Sequence, residues 1–516
     1  MMKPFVNEAY HDFTKPAVAA KQRAAIDAVR KAFGKEYPNV INGKRVKTVN
    51  KTRSVNPAAP SELVGVFQKS GVDDAEKAMR SALKAFETWK NVDPKKRAGV
   101  LFKAANIIRR RRLEINAWMI CEVGKNYLEA DADTCEAIDF LEFYGREMLR
   151  LAGPQPIVAQ PGEKNELLYI PLGVGVIIPP WNFPFAILAG MSAAAIVAGN
   201  TIVLKPSSDS PMMGWLFQEI MTEAGLPAGV LNYLVASGAE AGDYLVAHPK
   251  TRFISFTGSM QVGLHVNELA AKTQPGQIWI KRVVAEMGGK DAIVVDAETD
   301  VDVAVKGVVA AAFGFQGQKC SACSRAIIDA KIYDEFVAKL KIAVDAIAVG
   351  DPKDDVPMGP VVSARAERTI LDYIEIGKKE GKLICGGSKV AGKDGYFIQP
   401  TVIVNVKPTS RIMQEEIFGP VLAVCKARDF DHALEIANNT IYGLTGAVYT
   451  RNPRKLARAR NEFHCGNLYL NRKCTGAMVG GHPFGGFNMS GTDSKAGGHD
   501  YLLLFLQGKS VATKVS

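Results

Sequence analysis

The chain has 516 residues, of which 47% are hydrophobic and 23% are charged. A chain of this length is predicted to form about two to four domains, at roughly 100–200 residues each. The composition excludes a disordered, collagen-like or low-complexity protein. The net charge of +11 is mild for this length, so charge alone does not indicate a nucleic-acid partner.

Targeting and membrane signals are weak. Residues 1–8 lack the apolar core of a signal peptide. The apolar stretch 183–199 contains proline, glycine and serine and is shorter than the roughly 20 residues that a bilayer needs, so it predicts a buried helix. Cys320 and Cys323 form the one close pair among eight cysteines, without the partners of a zinc site. We therefore expect a cytoplasmic protein with reduced thiols, no membrane partner and no metal.

Helical periodicity dominates the first part of the chain. Apolar residues recur at helical intervals in residues 15–35, 73–89 and 94–123, which predicts three amphipathic helices. The basic run at residues 109–112 lies inside the third of these stretches. It predicts the solvated face of a helix rather than a phosphate-binding strip.

From residue 173 onward, short apolar runs alternate with helical stretches. The runs that predict buried strands in a first block are residues 173–178, 201–206, 230–236 and 253–256. A second block has predicted strands at 291–295 and 324–328, with helices near 300–313 and 332–347. Such alternation predicts parallel sheets wound with crossover helices. The expected fold class is α/β, with two wound domains and a small strand-rich extension.

Cys320 is a candidate nucleophile because it follows a glycine-containing turn and stands beside a lysine. A thiol of ordinary pKa is only a few per cent thiolate at pH 7. A nearby cation, a helix N-terminus or a base would raise that fraction. Taken alone, such a cysteine is more often a small buried apolar residue, so its interpretation depends on other segments.

Three segments supply that context. Asn182 follows the first predicted strand of the α/β region, where open sheets bind ligands, and its amide could stabilise an oxyanion. Glu286 precedes a glycine pair, and residues 414–421 carry further acids and an aromatic residue. Together with Cys320, in this order and spacing, these segments resemble the aldehyde dehydrogenase superfamily. The resemblance extends from about residue 40 to the end of the chain.

The resemblance implies a division of catalytic roles. Cys320 is expected to attack the aldehyde, while Asn182 and the backbone N–H of Cys320 form the oxyanion hole. Glu286 is expected to activate the water that hydrolyses the resulting thioester. Cys323 is expected to be structural.

The resemblance also implies an NAD site. Gly258, Ser259 and Gly263 match the family's phosphate-binding element, which follows a strand and opens a helix whose N–H groups can bind a pyrophosphate. The other expected cofactor-binding residues are Trp181, Lys205, Ser208, Glu416 and Phe418. Many NAD-preferring members have a glutamate where this chain has Ser208. Because a negative charge that would repel a 2′-phosphate is missing, we expect NAD use with NADP tolerated.

Similarity in four further segments narrows the range of expected substrates. Residues 314–322, 462–472, 483–492 and 497–505 are similar to dehydrogenases of L-glutamate γ-semialdehyde, in their bacterial single-function form. This implies NAD-dependent oxidation of that aldehyde to L-glutamate in proline catabolism. By resemblance, the substrate-binding residues are Phe185, Ser321, Gly497, Gly498 and Phe505. The serine and the glycine pair would hold the α-carboxylate, and the two phenylalanines would enclose the aliphatic part.

The resemblance further implies a domain organisation and an assembly. We expect an N-terminal helical arm at 1–35, an NAD-binding domain at 36–149 and 171–286, and a catalytic domain at 287–489. The remaining segments, 150–170 and 490–516, are expected to form an oligomerisation flap. The expected partners are a small-molecule substrate and further copies of the chain, in a homo-oligomer built from dimers.

Other readings remain open at this point. The enzyme could oxidise another short semialdehyde, or transfer its acyl group to coenzyme A, although such forms usually lack the glutamate at the position of Glu286. A non-catalytic protein of the same fold would tend to lose catalytic residues. A nucleic-acid binder is suggested by net charge alone, and no basic stripe with interleaved aromatic residues supports it.

Overall fold

The computed structural model describes residues 3–515; residues 1, 2 and 516, which belong to the predicted arm and flap, lie outside the described range. The helices are α1 (Pro16–Arg30), α2 (Val72–Trp89), α3 (Pro94–Val123), α4 (Tyr127–Leu151), α5 (Ala186–Val197), α6 (Pro211–Glu223), α7 (Asp243–Ala247), α8 (Met260–Ala271), α9 (Val301–Phe313), α10 (Tyr333–Asp345), α11 (Ala364–Glu380), α12 (Arg411–Gln414), α13 (Phe430–Asn438) and α14 (Pro453–Glu462). The strands are β1 (Glu36–Tyr37), β2 (Asn39–Ile41), β3 (Lys44–Val46), β4 (Lys51–Asn56), β5 (Ala59–Gln68), β6 (Glu163–Pro171), β7 (Val174–Ile178), β8 (Thr201–Leu204), β9 (Leu231–Tyr233), β10 (Thr251–Thr257), β11 (Arg282–Glu286), β12 (Ala292–Val295), β13 (Arg325–Asp329), β14 (Lys382–Cys385), β15 (Thr401–Val404), β16 (Val421–Ala427), β17 (Tyr442–Gly443), β18 (Thr445–Tyr449), β19 (Asn467–Leu470), β20 (Phe487–Asn488) and β21 (Leu506–Lys514).

Two seven-stranded sheets organise the fold. The first has the order β11-β10-β7-β8-β9-β2-β3, and its strands from β11 to β9 are parallel. The second has the order β14-β15-β16-β13-β12-β18-β19, with only β14 antiparallel to its neighbour. The predicted α/β class with two wound sheets is therefore confirmed.

The winding of each sheet reverses at one strand. In the first sheet the chain moves from β7 through β8 to β9, and then returns to place β10 on the other side of β7. In the second sheet β12 lies between β13 and β18. Ligands bind in the crevice that such a reversal leaves at the carboxyl ends of the strands. The segments after β7 and β10 are therefore the expected ligand-binding loops.

Helix α3 shows how local sequence sets an element. Asp93 caps its first turn by accepting a hydrogen bond from the N–H of Lys95, and Pro94 occupies the first helical position. Gly124 ends the helix in the left-handed conformation, with a φ of 73°. The observed bounds coincide with the predicted stretch 94–123.

The apolar stretch at 183–199 forms α5, which packs in the protein core. Eleven of its twelve residues are buried, and Gly190 allows close packing because a Cβ there would lie 2.9 Å from the ring of Phe140 in α4. Within residues 3–515, no helix is both long and apolar enough to cross a bilayer.

The two segments predicted to form the flap pair with each other only in part. Strands β6 and β21 pair antiparallel along their whole lengths, so the paired residues are 163–171 and 506–514. The predicted flap segment that begins at residue 490 does not join this pair before Leu506. Residues 490–494 instead run beside the end of β11, where the N–H of Met287 donates to the carbonyl of Ser490 over 2.7 Å.

The basic run in α3 is only partly solvated, which corrects the prediction of a solvated face. Arg110 is 63% exposed and pairs with Glu223. Arg112 is buried, and its guanidinium forms two hydrogen bonds with the buried carboxylate of Asp131 in α4. A helical repeat of 3.6 residues places adjacent arginines on different faces, so one of them faces the core.

These two arginines allow a matched stability test. Arg112→Ala leaves the Asp131 carboxylate buried without its main cationic partner, which we expect to cost about 3 kcal/mol. Arg110→Ala removes only an exposed pair and should cost less than about 1 kcal/mol. Urea unfolding followed by tryptophan fluorescence measures both. Equal midpoints for the two variants would contradict the buried role of Arg112.

Candidate active site

A cleft of about 500 Å³ opens between the carboxyl ends of the two sheets. The first sheet contributes the segments after β7, β8 and β10, and the second contributes the loop before β13 and residues 416–418. Of the predicted catalytic and cofactor-binding residues, those that line this cleft are Trp181, Asn182, Lys205, Ser208, Gly258, Ser259, Cys320, Glu416 and Phe418. The fold therefore collects residues that are up to 237 positions apart, from Trp181 to Phe418.

Cys320 is presented by a loop with an unusual backbone. Phe315, Gln316 and Gly317 have φ angles of 49°, 58° and 67°, which are unfavourable for the two non-glycine residues. The buried amide of Gln316 holds this conformation, because its Nε2 donates to the carbonyls of Gly124 (3.1 Å) and Pro360 (2.7 Å). Strain of this kind persists only where surrounding contacts enforce it, and here it sets the position of Cys320.

The environment of the Cys320 thiol disfavours the thiolate. Burial, followed by the nearby carboxyls of Asp291, Glu416 and Glu286, raises its pKa. The adjacent Lys319 does not supply the expected compensating charge, because its Nζ binds Glu129 over 2.7 Å. Proximity to lysine in the sequence therefore does not activate this thiol.

Asn182 follows β7 and is buried at the base of the cleft. Its Nδ2 donates to the carbonyl of Gln318 over 3.1 Å, which ties it to the loop that carries Cys320. An amide nitrogen carries two hydrogens, so one remains for another acceptor. This is the arrangement required of an oxyanion donor.

Glu286 ends β11 and lies behind the cleft rather than in its lining. Its carboxylate accepts hydrogen bonds from Ser494 Oγ and from the N–H of Gly486, the latter over 3.4 Å. Burial raises the pKa of Glu286 to about 8, against the lowering effect of these bonds. A group with this pKa can exchange a proton near neutral pH.

One end of the cleft is built to receive an anion. Gly258 and Ser259 follow β10, and Ser259 caps the twelve-residue helix α8, whose N-terminal N–H groups favour a phosphate. Lys205 follows β8 and is buried, which lowers its pKa to about 8. Gly263 does not line the cleft. It is required for packing, because a Cβ there would lie 2.4 Å from Met287 Sδ.

The other end of the cleft is lined by aromatic and acidic side chains. The rings of Trp181 and Phe418 meet edge to face, with centroids 5.5 Å apart. Glu416 accepts a hydrogen bond from the N–H of Gly289 over 3.0 Å, and burial raises its pKa to about 7. Gly288 leaves room for this carboxylate, because a Cβ there would lie 2.1 Å from Glu416 Oε2 and would displace it.

The five predicted substrate residues are absent from the lining of the cleft, and four of them are engaged elsewhere. The N–H of Gly497 donates to Tyr144 Oη, and that of Gly498 donates to the carbonyl of Lys495, both over 2.9 Å. Neither N–H is available to a carboxylate. The rings of Phe185 and Phe505 are fully buried in the core, where they pack against Phe217 and Phe253. Ser321 directly follows Cys320 and is buried, and its role in substrate binding stays a prediction.

A different loop, which begins at Cys474, has backbone N–H groups that could bind a substrate carboxylate. Cys474 Sγ donates to the carbonyl of Ser321 over 3.3 Å, which ties the start of this loop to the residue that follows Cys320. Within residues 3–515, the N–H groups of Gly476 and Ala477 have no acceptor, and Gly476 has a φ of 82°. Gly476 lies in an irregular segment, and this glycine was the sequence signal for a carboxylate-binding loop. The sequence alone could not distinguish it from the glycine pair at 497–498.

The sequence analysis also missed a cluster of aromatic and charged residues around Lys125. Lys125 is fully buried, and its Nζ lies 4.1 Å from the ring centroid of Phe183 and 4.5 Å from that of Phe315. It pairs with Asp133 over 3.0 Å. Glu136 forms no ion pair within the described chain, and burial raises its pKa to about 8. Phe183, rather than Phe185, is the half-buried aromatic residue next to Asn182.

Comparisons with known proteins agree with this geometry. The aldehyde dehydrogenase family matches residues 45–511. Over 513 residues, and 99% of both chains, the sequence is 58% identical to 1-pyrroline-5-carboxylate dehydrogenase of Geobacillus thermodenitrificans and 54% identical to that of Bacillus subtilis. The structure of 1-pyrroline-5-carboxylate dehydrogenase from Thermus with bound NAD matches with a TM-score of 0.98, at 50% identity and 99% coverage of both chains. The chain belongs to the aldehyde dehydrogenase family.

Proposed function

We propose that this enzyme oxidises L-glutamate γ-semialdehyde, which equilibrates with 1-pyrroline-5-carboxylate, to L-glutamate with reduction of NAD, the second step of proline catabolism. The observation that carries the proposal is the 58% identity, over nearly the whole of both chains, to a protein named for this activity. Cys320 and Asn182 line one cleft, as the reaction requires.

The residues of the cleft fit NAD. A volume of about 500 Å³ lies within the range of ligand sites. The N-terminus of α8 and Lys205 would hold the pyrophosphate and the adenosine ribose. Glu416 would bind the nicotinamide ribose, with Trp181 and Phe418 beside the ring. When bound, NAD supplies the acceptor for the hydride that leaves the substrate carbon.

The first half of the reaction uses Cys320 and Asn182. The Cys320 sulfur adds to the aldehyde carbon, and the oxygen that becomes negative accepts hydrogen bonds from Asn182 Nδ2 and from the backbone N–H of Cys320. Loss of hydride from the resulting thiohemiacetal leaves a thioester on Cys320. Because burial raises the thiol's pKa, the sulfur gives its proton to solvent water only as it adds to the aldehyde carbon.

The second half uses Glu286. Its carboxylate takes a proton from water as the oxygen attacks the thioester carbon. The carbon–sulfur bond then breaks, the Cys320 thiolate leaves, and the new carboxylate is released. Hydrogen bonds from Ser494 and Gly486 hold the Glu286 carboxylate in place. A positioned base supports hydrolysis of the thioester, because acyl transfer to coenzyme A needs no such base.

The charges around Cys320 suit an amino-acid aldehyde. Ser321 and the free N–H groups of Gly476 and Ala477 would bind the α-carboxylate. The α-ammonium requires a nearby anion. Glu136 is available for this role, because the lysines that lower its pKa, Lys125 and Lys319, form ion pairs with Asp133 and Glu129. An adjacent ammonium would favour the ionised form of Glu136. The ring of Phe183 would contact the aliphatic part. A simple aliphatic aldehyde would leave these polar groups without partners.

The assembly and the location belong to the same proposal. Strands β6 and β21 form a two-stranded sheet with exposed apolar residues, including Leu168 at 44% and Ile170 at 37% exposure. A second copy of the chain would cover them, in dimers that associate further. The eight cysteines are all unpaired, as expected in the reducing cytoplasm.

Two cysteines three positions apart test the nucleophile. Cys320→Ala should abolish NAD reduction with glutamate γ-semialdehyde. Cys323→Ala should retain most activity, because the Cys323 thiol is buried and bonded to the carbonyl of Arg325. The assay compares this substrate with aliphatic aldehydes of equal length, and the semialdehyde should give the higher kcat/KM. A preference for the aliphatic aldehydes would refute the assigned substrate.

Glu286→Gln tests the hydrolytic base. The variant should show a single-turnover burst of reduced cofactor without sustained glutamate production, because the thioester accumulates. In the wild type, hydrolysis should speed up as the pH rises through about 8, where Glu286 loses its proton, and should be constant above. Glu298→Gln, at an exposed site, is the control. Normal turnover by Glu286→Gln would disprove the assignment.

Ser208→Glu tests cofactor tolerance. A carboxylate at this position of the cleft would repel the 2′-phosphate of NADP. We expect the variant to lose NADP-dependent activity while it keeps NAD-dependent activity, measured as the ratio of the two kcat/KM values. An unchanged ratio would show that Ser208 does not set the preference.

A further inference from the structure

The segment 474–486 contacts both halves of the catalytic machinery. At one end, Cys474 Sγ donates to the carbonyl of Ser321, next to Cys320. At the other end, the N–H of Gly486 donates to Glu286. The free N–H groups of Gly476 and Ala477 lie between these two anchors. The position of this segment therefore determines where a substrate carboxylate could be bound.

The outer side of the segment is covered by the extended N-terminal arm, residues 3–14. Asn7 Nδ2 donates to the carbonyl of Val479 over 3.0 Å. Tyr10 Oη donates to Met478 Sδ over 3.7 Å. The Phe5 ring lies against Gly480, where a Cβ would be 3.2 Å from Phe5 Cε1. Three arm residues thus contact three consecutive residues of the segment.

The arm itself is held by charged and polar groups of α3 and α4. Asp139 accepts from Asn7 Nδ2 over 2.9 Å and from the N–H of Glu8 over 2.7 Å. The Glu8 carboxylate pairs with Arg109 over 2.9 Å. The Ala9 carbonyl accepts a hydrogen bond from the guanidinium of Arg112 over 3.0 Å. The arm therefore links the segment to two long helices of the first domain.

We propose that arm residues 5–10 form a positioning element for the substrate carboxylate. Their contacts with Met478, Val479 and Gly480 hold the segment in place, so that the N–H groups of Gly476 and Ala477 face the cleft beside Ser321. The arm touches neither Cys320 nor the cofactor cleft, so it affects substrate affinity and selectivity rather than hydride transfer. This inference rests on the proposed function, because it requires a substrate with a remote carboxylate.

Asn7→Ala tests the arm through binding of the product, L-glutamate, to the whole enzyme. We expect the Kd for L-glutamate and the KM for glutamate γ-semialdehyde to rise about fivefold, as for the loss of about one net hydrogen bond. The Kd for NAD, kcat with the semialdehyde, and kcat/KM for an uncharged aliphatic aldehyde should stay unchanged. Calorimetry and steady-state kinetics measure these values.

Asp12→Asn is the matched control, because Asp12 lies outside residues 5–10 and its carboxylate contacts only Thr14 and Lys15; it should leave L-glutamate affinity unchanged. If Asn7→Ala fails to fold, Tyr10→Phe removes the contact with Met478 at almost constant volume and should weaken L-glutamate binding to a smaller degree. Equal loss of L-glutamate and NAD affinity, equal effects of Asn7→Ala and Asp12→Asn, or wild-type affinity in both Asn7→Ala and Tyr10→Phe would overturn the inference. A wild-type enzyme that neither oxidises the semialdehyde nor binds L-glutamate would instead overturn the proposed function, and this inference with it.

Discussion

The whole site depends on one topological constraint. In a parallel sheet every strand ends on the same side, and a crevice forms there when the winding reverses. This chain has two such sheets, and their carboxyl ends border one cleft. Asn182 and the N-terminus of α8 therefore meet Cys320 and Glu416, although these residues are far apart in sequence. The proximity of these residues therefore follows from the topology of the two sheets.

Burial is the second physical theme of the site. It raises the pKa of Cys320, Glu286 and Glu416 together, because a low-dielectric environment disfavours every anion. Hydrogen bonds from Ser494 to Glu286 and from Gly289 to Glu416 offset part of this effect. The resting site thus avoids a cluster of unpaired negative charges.

Backbone geometry gives the site its precision. The left-handed residues before Cys320 are held by the amide of Gln316, and the close approach at Gly288 allows Glu416 to reach the backbone. The segment 474–486 is held at both ends by catalytic residues or their neighbours. Each of these features connects residues that are distant in the chain, so a small displacement of one would alter the others.

The amino-acid sequence by itself determined the α/β class and the bounds of α3, because these depend on local periodicity and helix caps. Motifs of fixed spacing, and the family resemblance that they carry, predicted Cys320, Asn182, Glu286 and the cofactor-binding residues, and the fold brings most of these residues to one cleft. Only the tertiary structure decided which glycine keeps a free N–H, which phenylalanine near Asn182 is fully buried, and which arginine of 109–112 is buried. Gly497 and Gly476 look alike in sequence, but Tyr144 occupies the N–H of the first and nothing described occupies that of the second. Hydrogen-bond partners and burial are set by contacts between distant residues, and these contacts exist only once the chain has folded.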